Sequence, residues 1–252
     1  MSTDPSIDTD ARLIESVCDS LGFPADLSHL LPIVFSECEG LGAMHAPVIR
    51  LLCLAGASSR SKIIDLACGK GDLTLAISER FKSRITGVDA CGALLRQARL
   101  KSKGSSSRHR LRFRRADVKS LPPSRHDIAL MIGWLGSEHA PSVLRQQVKN
   151  GGYYLFDDAL PRASMAQARG FVRERIEACG DALISSASVR SASFRKMTAG
   201  NDKRIRVGLD AAIDLEPRVA PLLRRWFASF QRHAERIATD HTVGYWLARK
   251  AL

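Results

Sequence analysis

The run KIIDLACGKGDLTLAI, residues 62–77, passes from an apolar stretch through a glycine turn into an amphipathic stretch without a break. Ile63 and Ile64 precede Asp65, Gly69 and Gly71 lie one residue apart, and Leu73, Ala76 and Ile77 recur at helical spacing. β-Branched residues favour a pleated strand, glycine supplies the positive φ of a tight strand-to-helix turn, and the i, i+3, i+4 recurrence buries one helix face. The spacing therefore predicts a strand over 62–67 and a helix over 72–83. This unit decides the fold, because the same alternation repeats after it.

The next stretches read as a strand over 84–90 (RITGVDA), a helix over 92–101 and a basic, alternating strand over 111–118. Residues 126–134 (HDIALMIGW) form a continuous apolar run suited to a central strand covered on both faces. A helix over 141–148 and a turn at Asn150-Gly151-Gly152 lead into a fifth strand, YYLFDDA. Such alternation implies an α/β fold with a doubly wound, parallel sheet. Beyond it come a helix over 164–179 closed by Gly180, a strand over 182–189, a long amphipathic helix over 216–237 and a last strand over 242–250. The long helix gathers Val219, Leu222, Leu223, Trp226, Phe227, Phe230 and Ile237 on one side, with Arg218, Arg224, Arg225, Arg232 and Arg236 as its solvated face. Before the sheet, Leu13, Ile14, Val17 and Leu21 mark one helix, and Val48, Leu51, Leu52 and Ala55, between Pro47 and Gly56, mark another. The expected organisation is a helical lead-in over 1–61 and an α/β domain over 62–252. Within the latter, 62–159 is the binding core and 160–252 holds the late strands and a helical insertion.

Composition narrows the setting. The chain has 252 residues, 45% of them hydrophobic, enough for a sizeable core. No stretch of about 18 apolar residues exists, which argues against a membrane span. The six cysteines, 18, 38, 53, 68, 91 and 179, are scattered with no Cys-x-x-Cys pair. They read as buried thiols of a reducing compartment rather than metal ligands or disulfides. With an acidic start that lacks an apolar signal core, the expectation is a cytoplasmic protein without a metal. The formal net charge is +12, yet residues 1–61 carry 3 Arg/Lys against 8 Asp/Glu, so −5 lies there and +17 in the rest. The densest part, 96–115, has nine Arg/Lys and no acid. It suits either a nucleic-acid face or a solvated loop and edge strand that resists edge-to-edge pairing. Phe113 is the one aromatic within it, which disfavours base stacking and supports the second reading.

In an open parallel sheet, ligands bind at the carboxyl ends of the strands. Those ends carry Ala67-Cys68-Gly69-Lys70-Gly71, then Asp89, Asp117, Ile132-Gly133-Trp134 and Asp157-Asp158. Asp89 follows Asp65 by 24 residues and suits the two hydroxyls of a ribose. Asp117 suits an exocyclic amine such as that of adenine. A dinucleotide is disfavoured: Thr74 stands where a third glycine would be, and Asp65 and Asp72 bracket the turn with negative charge that repels a pyrophosphate. Those acids suit instead a nucleoside with a cationic tail.

The Asp65–Asp72 motif, Asp89 and Asp117 together resemble the binding motifs of class I S-adenosylmethionine-dependent methyltransferases of the small-molecule type, over residues 62–159. The resemblance implies a Rossmann-like, mostly parallel seven-stranded sheet and S-adenosyl-L-methionine as cofactor. It implies that Asp65 and the Ala67–Gly71 backbone, Gly69 and Gly71 included, hold the methionine moiety. Asp89 would bind the ribose hydroxyls, Asp117 and Val118 would meet the adenine, Gly133 would lie near the amino-acid end, and Ala90 would belong to the same cofactor-binding set. Simpler roles compete at several positions: Asp117 as a cap of a short helix, Asp89 as a turn acid, Cys68 as packing, Lys70 as solvated or paired with Asp72, and Asp158 as a structural partner of Arg162.

The acceptor is less legible. The sulfonium is already an activated leaving group, so positioning can carry much of methyl transfer and a catalytic base need not exist. Candidate bases are His45, Glu138, His139, Asp157 and His241. Ile132-Gly133-Trp134-Leu135 replaces the Asn/Asp-Pro-Pro-aromatic motif of nucleobase amino-methylating enzymes, and no Pro-Cys of the carbon-5 pyrimidine enzymes occurs. A small-molecule acceptor is therefore expected, with an RNA or protein acceptor on the basic 96–115 face, or a catalytically silent binding module, as alternatives. Trp226, Phe227 and Phe230 are expected to pack on the core or line the acceptor pocket.

Overall fold

A computed structural model of the chain describes residues 18, 21–38, 45–133, 140–161 and 163–252. Its strands are β1 (Lys62–Leu66), β2 (Arg84–Asp89), β3 (Leu111–Arg115), β4 (His126–Met131), β5 (Val148–Pro161), β6 (Ala182–Ser188) and β7 (His241–Arg249). They form one sheet in the order β3-β2-β1-β4-β5-β7-β6. The pairs β1–β2, β1–β4, β2–β3 and β4–β5 are parallel, whereas β7 runs antiparallel to both its neighbours. The order reverses direction between β1 and β4, and that switch point is where a doubly wound sheet opens a crevice.

The described helices are α1 (Leu31–Val34), α2 (His45–Leu54), α3 (Asp72–Phe81), α4 (Gly92–Lys103), α5 (Ala140–Gln147), α6 (Met165–Glu177), α7 (Ser191–Leu215) and α8 (Ala220–Asp240). Alternation along β1 sends Ile63 to one face, with α2 and α3, and Ile64 and Leu66 to the other, with α5 and α6. A third apolar cluster lies apart from the sheet. There Leu27, Leu30 and Val34 pack with Ile205 and Leu209 of α7 and with Leu223, Trp226 and Phe227 of α8. Gly208 permits this docking: a Cβ there would meet the carbonyl oxygens of Ile33 and Val34 at 2.4 Å. The His29–Glu216 contact at 2.5 Å adds a second tie between the lead-in and the insertion.

Several sequence expectations need correction. The third strand stops at Arg115 rather than 118, and Val118–Ser120 forms a 3-10 turn capped by Asp117. Asn150-Gly151-Gly152 is not a turn before a strand. β5 begins at Val148 and runs through it, with a register irregularity opposite His126 and Ile128 and with Gly151 at φ +71°. The insertion holds two long helices, α7 and α8, not one. The four apolar residues that α7 buries are Phe194, Ile205, Leu209 and Ala212. Cys53 and Cys179 are exposed rather than buried. The helix expected around Leu13–Val17 and the residues Trp134, Glu138, His139 and Arg162 lie outside the described residues. Among the described residues no helix is long and apolar enough to cross a membrane.

Candidate functional site

The β1–α3 turn is built by its backbone. Ala67, Gly69 and Gly71 all take positive φ, of 55°, 53° and 73°. Glycine adopts this conformation without cost, but alanine at 67 pays for its Cβ. Gly71 is also the point of closest approach, since a Cβ there would stand 2.9 Å from the Phe113 ring and 3.1 Å from the Ala98 Cβ. The Gly71 amide donates to the Cys68 carbonyl at 2.9 Å and closes the turn.

Two carboxylates stand behind it. Asp65 is buried and accepts from the Thr74 hydroxyl at 2.5 Å. Burial, reinforced by Asp89, pushes its carboxyl up to about 7 against the opposing Thr74 bond. Asp89 is also buried. Its Oδ2 accepts the Gly69 amide and its Oδ1 the Cys91 amide, each at 2.8 Å. Burial raises this carboxyl too, and the two amides hold it back. Asp89 is thus more than a strand-end turn acid: it splints the glycine turn to the start of α4. Each of its oxygens retains a further lone pair for a ligand donor.

The electrostatics around the turn differ from expectation. Lys70 is neither solvated nor paired with Asp72. It is buried, and its ammonium donates to the Ser36 carbonyl. Burial, with Lys101 nearby, lowers its pKa. Asp72 pairs with Lys101 at 2.5 Å, so the least compensated negative charge near the turn is that of Asp65 and Asp89.

A cavity of about 530 Å³ opens on this turn. Asp65, Ala67, Gly69, Asp89 and Gly133 line it, as do Cys68 and Lys70. Gly71, Ala90, Asp117 and Val118 do not: Gly71 turns away, and Asp117 caps its 3-10 turn by accepting the Lys119 amide at 2.9 Å. Of the candidate bases, His45 lines the cavity, whereas Asp157 and His241 do not. Asp157 instead accepts the Gly133 amide at 2.9 Å, which fixes the end of β4, and His241 Nδ1 faces the Arg236 carbonyl. Asp158 pairs with Arg175 at 2.9 Å.

The opposite wall comes from α7, α8 and the segment before α2. It brings in residues that the sequence reading missed, among them Asn201, Asp202 and His233. His233 lines the cavity, and partial burial, then Arg236 and His241, lower its pKa. Nothing local marks these side chains, because they become neighbours of the glycine turn only through the docking of the insertion. Among the described residues no cluster of His, Cys, Asp and Glu could hold a metal ion.

Residues 63–151 match the family model described as a methyltransferase domain. Among solved structures, an S-adenosylmethionine-dependent methyltransferase from Thiobacillus denitrificans, crystallised with S-adenosyl-L-homocysteine, aligns with a TM-score of 0.67 at 17% identity, over 88% of this chain and 98% of that one. YjhP from E. coli aligns at 0.68 and 18% identity, over 89% and 100%. The [4+2]-cyclase SpnF aligns at 0.66 and 19%, over 90% and 93%. At such identities the likeness is one of fold, and the frame is one that a cyclase also uses. The family match, the strand order and the acidic glycine turn agree: residues 63–151 match a methyltransferase-domain family, on a fold that S-adenosylmethionine-dependent methyltransferases share.

Proposed function

We propose that the protein binds S-adenosyl-L-methionine and transfers its methyl group to a small-molecule acceptor. The observation that carries this is the pair of buried carboxylates, Asp65 and Asp89, on adjacent strand ends at the floor of the cavity. Buried carboxylates with spare acceptor capacity favour a ligand rich in donors and positive charge, and they disfavour a pyrophosphate. The cofactor supplies an activated methyl on a sulfonium. On this reading Asp65, Ala67 and Gly69 hold the methionine end with Gly133, and Asp89 takes the ribose hydroxyls. Asp117 and Val118, outside the cavity lining, would meet the adenine only at its rim, Ala90 lies next to Asp89, and Gly71 shapes the turn from behind. Asp157 is a positioning residue, acting through the Gly133 amide. His45 and His233, both on the cavity wall, are the groups placed to accept a proton from the acceptor.

The described part of the 1–61 lead-in, within 18–38 and from 45 onward, and the insertion within 160–252 would cap the acceptor side of the 62–159 core. The basic 96–115 face supports the small-molecule reading, since several of its cations have structural partners. Arg99 donates to the Phe113 carbonyl, Arg115 to the Ala90 carbonyl, and Lys101 pairs with Asp72. The test is a screen of metabolite fractions and total RNA for label transferred from methyl-labelled cofactor. Label in a small-molecule fraction is expected. Label confined to RNA refutes the acceptor assignment, and wild-type protein that fails to bind the cofactor refutes the whole reading.

A further inference from the structure

The cavity wall formed by α7, α8 and the segment before α2 lies outside the residues proposed to hold the cofactor, and its chemistry bears on the acceptor; the inference rests on the methyltransferase reading only for that last step. Its wall is aromatic, with Phe35, Phe194, Trp226 and Phe230 all lining the cavity. The Trp226 ring is fixed. Its Nε1 donates to the Leu21 carbonyl at 3.2 Å, Phe23 and Phe35 pack edge-on at 4.9 and 5.8 Å between centroids, and Phe230 lies at 5.5 Å.

One carboxylate, Asp202 of α7, joins this wall. Its Oδ2 accepts from Gln231 at 2.9 Å. Its Oδ1 is buried and has no hydrogen-bond partner among the described residues. The cations near it are engaged or outlying. The Lys70 ammonium is turned to the Ser36 carbonyl and feels Asp72 and Glu37. Arg204 shares the surroundings of Cys38 with Lys70, Glu37 and Asp202, and has a partner of its own. His233 and Arg236 lie on exposed positions of α8. A buried carboxylate oxygen without a partner is costly, and a protonated amine relieves that cost more fully than a hydroxyl does. Aromatic faces beside such an oxygen add cation–π attraction, strongest on tryptophan.

We propose that the acceptor is a ring-bearing, apolar amine, recognised as its cation, with the ammonium at Asp202 and the ring against Trp226 and Phe230. The ammonium anchors the molecule and leaves another nucleophilic atom of it to face the methyl donor.

Phenethylamine, 2-phenylethanol and 3-phenylpropanoate, nearly isosteric, separate charge from shape. Each is titrated into the full chain by tryptophan fluorescence, with and without S-adenosylhomocysteine. The amine is expected to bind at least tenfold more tightly than the alcohol, and the acid more weakly than either. Asp202→Asn keeps an acceptor for Gln231 and is expected to bring the amine to the level of the alcohol, with affinity for S-adenosylhomocysteine unchanged. Equal binding of all three probes, tightest binding of the acid, absence of amine binding, or amine selectivity that survives Asp202→Asn overturns the proposal. Should the variant not fold, the order of the three probes on the wild type decides alone. Amine binding without S-adenosylhomocysteine binding removes the cofactor reading and leaves the amine subsite. The reverse removes the subsite and leaves the cofactor.

Discussion

Asp65→Asn isolates the cost of the negative charge at the floor of the cavity. The folded carboxyl sits at about 7 against 3.8 for an ordinary aspartate, raised by burial. Between those values the folded state holds a proton that the unfolded state has lost, so stability falls as pH rises. The protonated acid's contribution is complete below about 3.8 and gone above about 7. At 1.36 kcal/mol per unit, the span corresponds to roughly 4 kcal/mol by pH 8. Asparagine keeps an acceptor for the Thr74 hydroxyl and carries no charge, so it removes this slope. Urea unfolding at pH 5 and pH 8 checks it. At pH 5, about one unit above 3.8, the variant should exceed the wild type by only about 1–2 kcal/mol, whereas at pH 8 the excess should grow to about 4 kcal/mol. It should also lose preference for S-adenosylmethionine over S-adenosylhomocysteine, which lacks the sulfonium charge. An effect of the same size at both pH values, or a variant weakened most at pH 8, would refute the electrostatic reasoning.

Three further outcomes follow from the packing. Trp226→Ala empties a site that is only 5% exposed, and should cost about 3–5 kcal/mol and weaken binding of the aromatic probes; a melting temperature unchanged within 3 °C would mean that the ring is peripheral. Ala67→Gly relieves a positive φ and should be neutral or stabilising by up to about 1 kcal/mol, whereas Gly71→Ala should cost about 2–4 kcal/mol from its φ and its contact with Phe113; equal responses in urea would show that the two turn positions are not distinct. Arg112→Glu with Arg114→Glu reverses two exposed charges on the edge strand β3 and should change stability by less than about 0.5 kcal/mol each and leave turnover of a small acceptor intact; loss of activity together with salt-dependent RNA binding would move the acceptor to that face.

The glycine turn and its two acids were legible because their signals are local. The glycine spacing, Asp65 and Asp89 follow strands whose apolar runs mark their ends, and all five strands of the parallel core fell within a few residues of where they were expected. The misjudged residues depend on tertiary contact. Lys70 looks like a surface lysine until α1 and the turn after it bring the Ser36 carbonyl over it. Helix α7 was missed although Phe194, Ile205, Leu209 and Ala212 recur on one face, because Gly200 and Gly208 lie within it and read as breaks; Gly208 and Asn201 serve docking and cavity lining. Asp202 and His233 join the site through that docking alone. Asp89 lies at the strand end that its spacing implied, but its two amide bonds to Gly69 and Cys91 could not be read from spacing.

Calorimetric titration of the wild type with S-adenosylhomocysteine, S-adenosylmethionine and NAD, repeated on Asp89→Ala, tests the cofactor assignment most directly. Hydrogen bonds to a charged group contribute roughly 1.5–3 kcal/mol each, so losing two from a ribose should cost about 3 kcal/mol or more, on the order of a hundredfold in affinity. The variant should remain folded but be somewhat less stable, because the Gly69 and Cys91 amides lose their acceptor. Binding of the first two ligands by the wild type, no saturable binding of NAD, and loss of at least a hundredfold in the variant is the predicted result. Tight binding of NAD by the wild type, or a folded Asp89→Ala protein that binds S-adenosylhomocysteine as well as the wild type does, would contradict it.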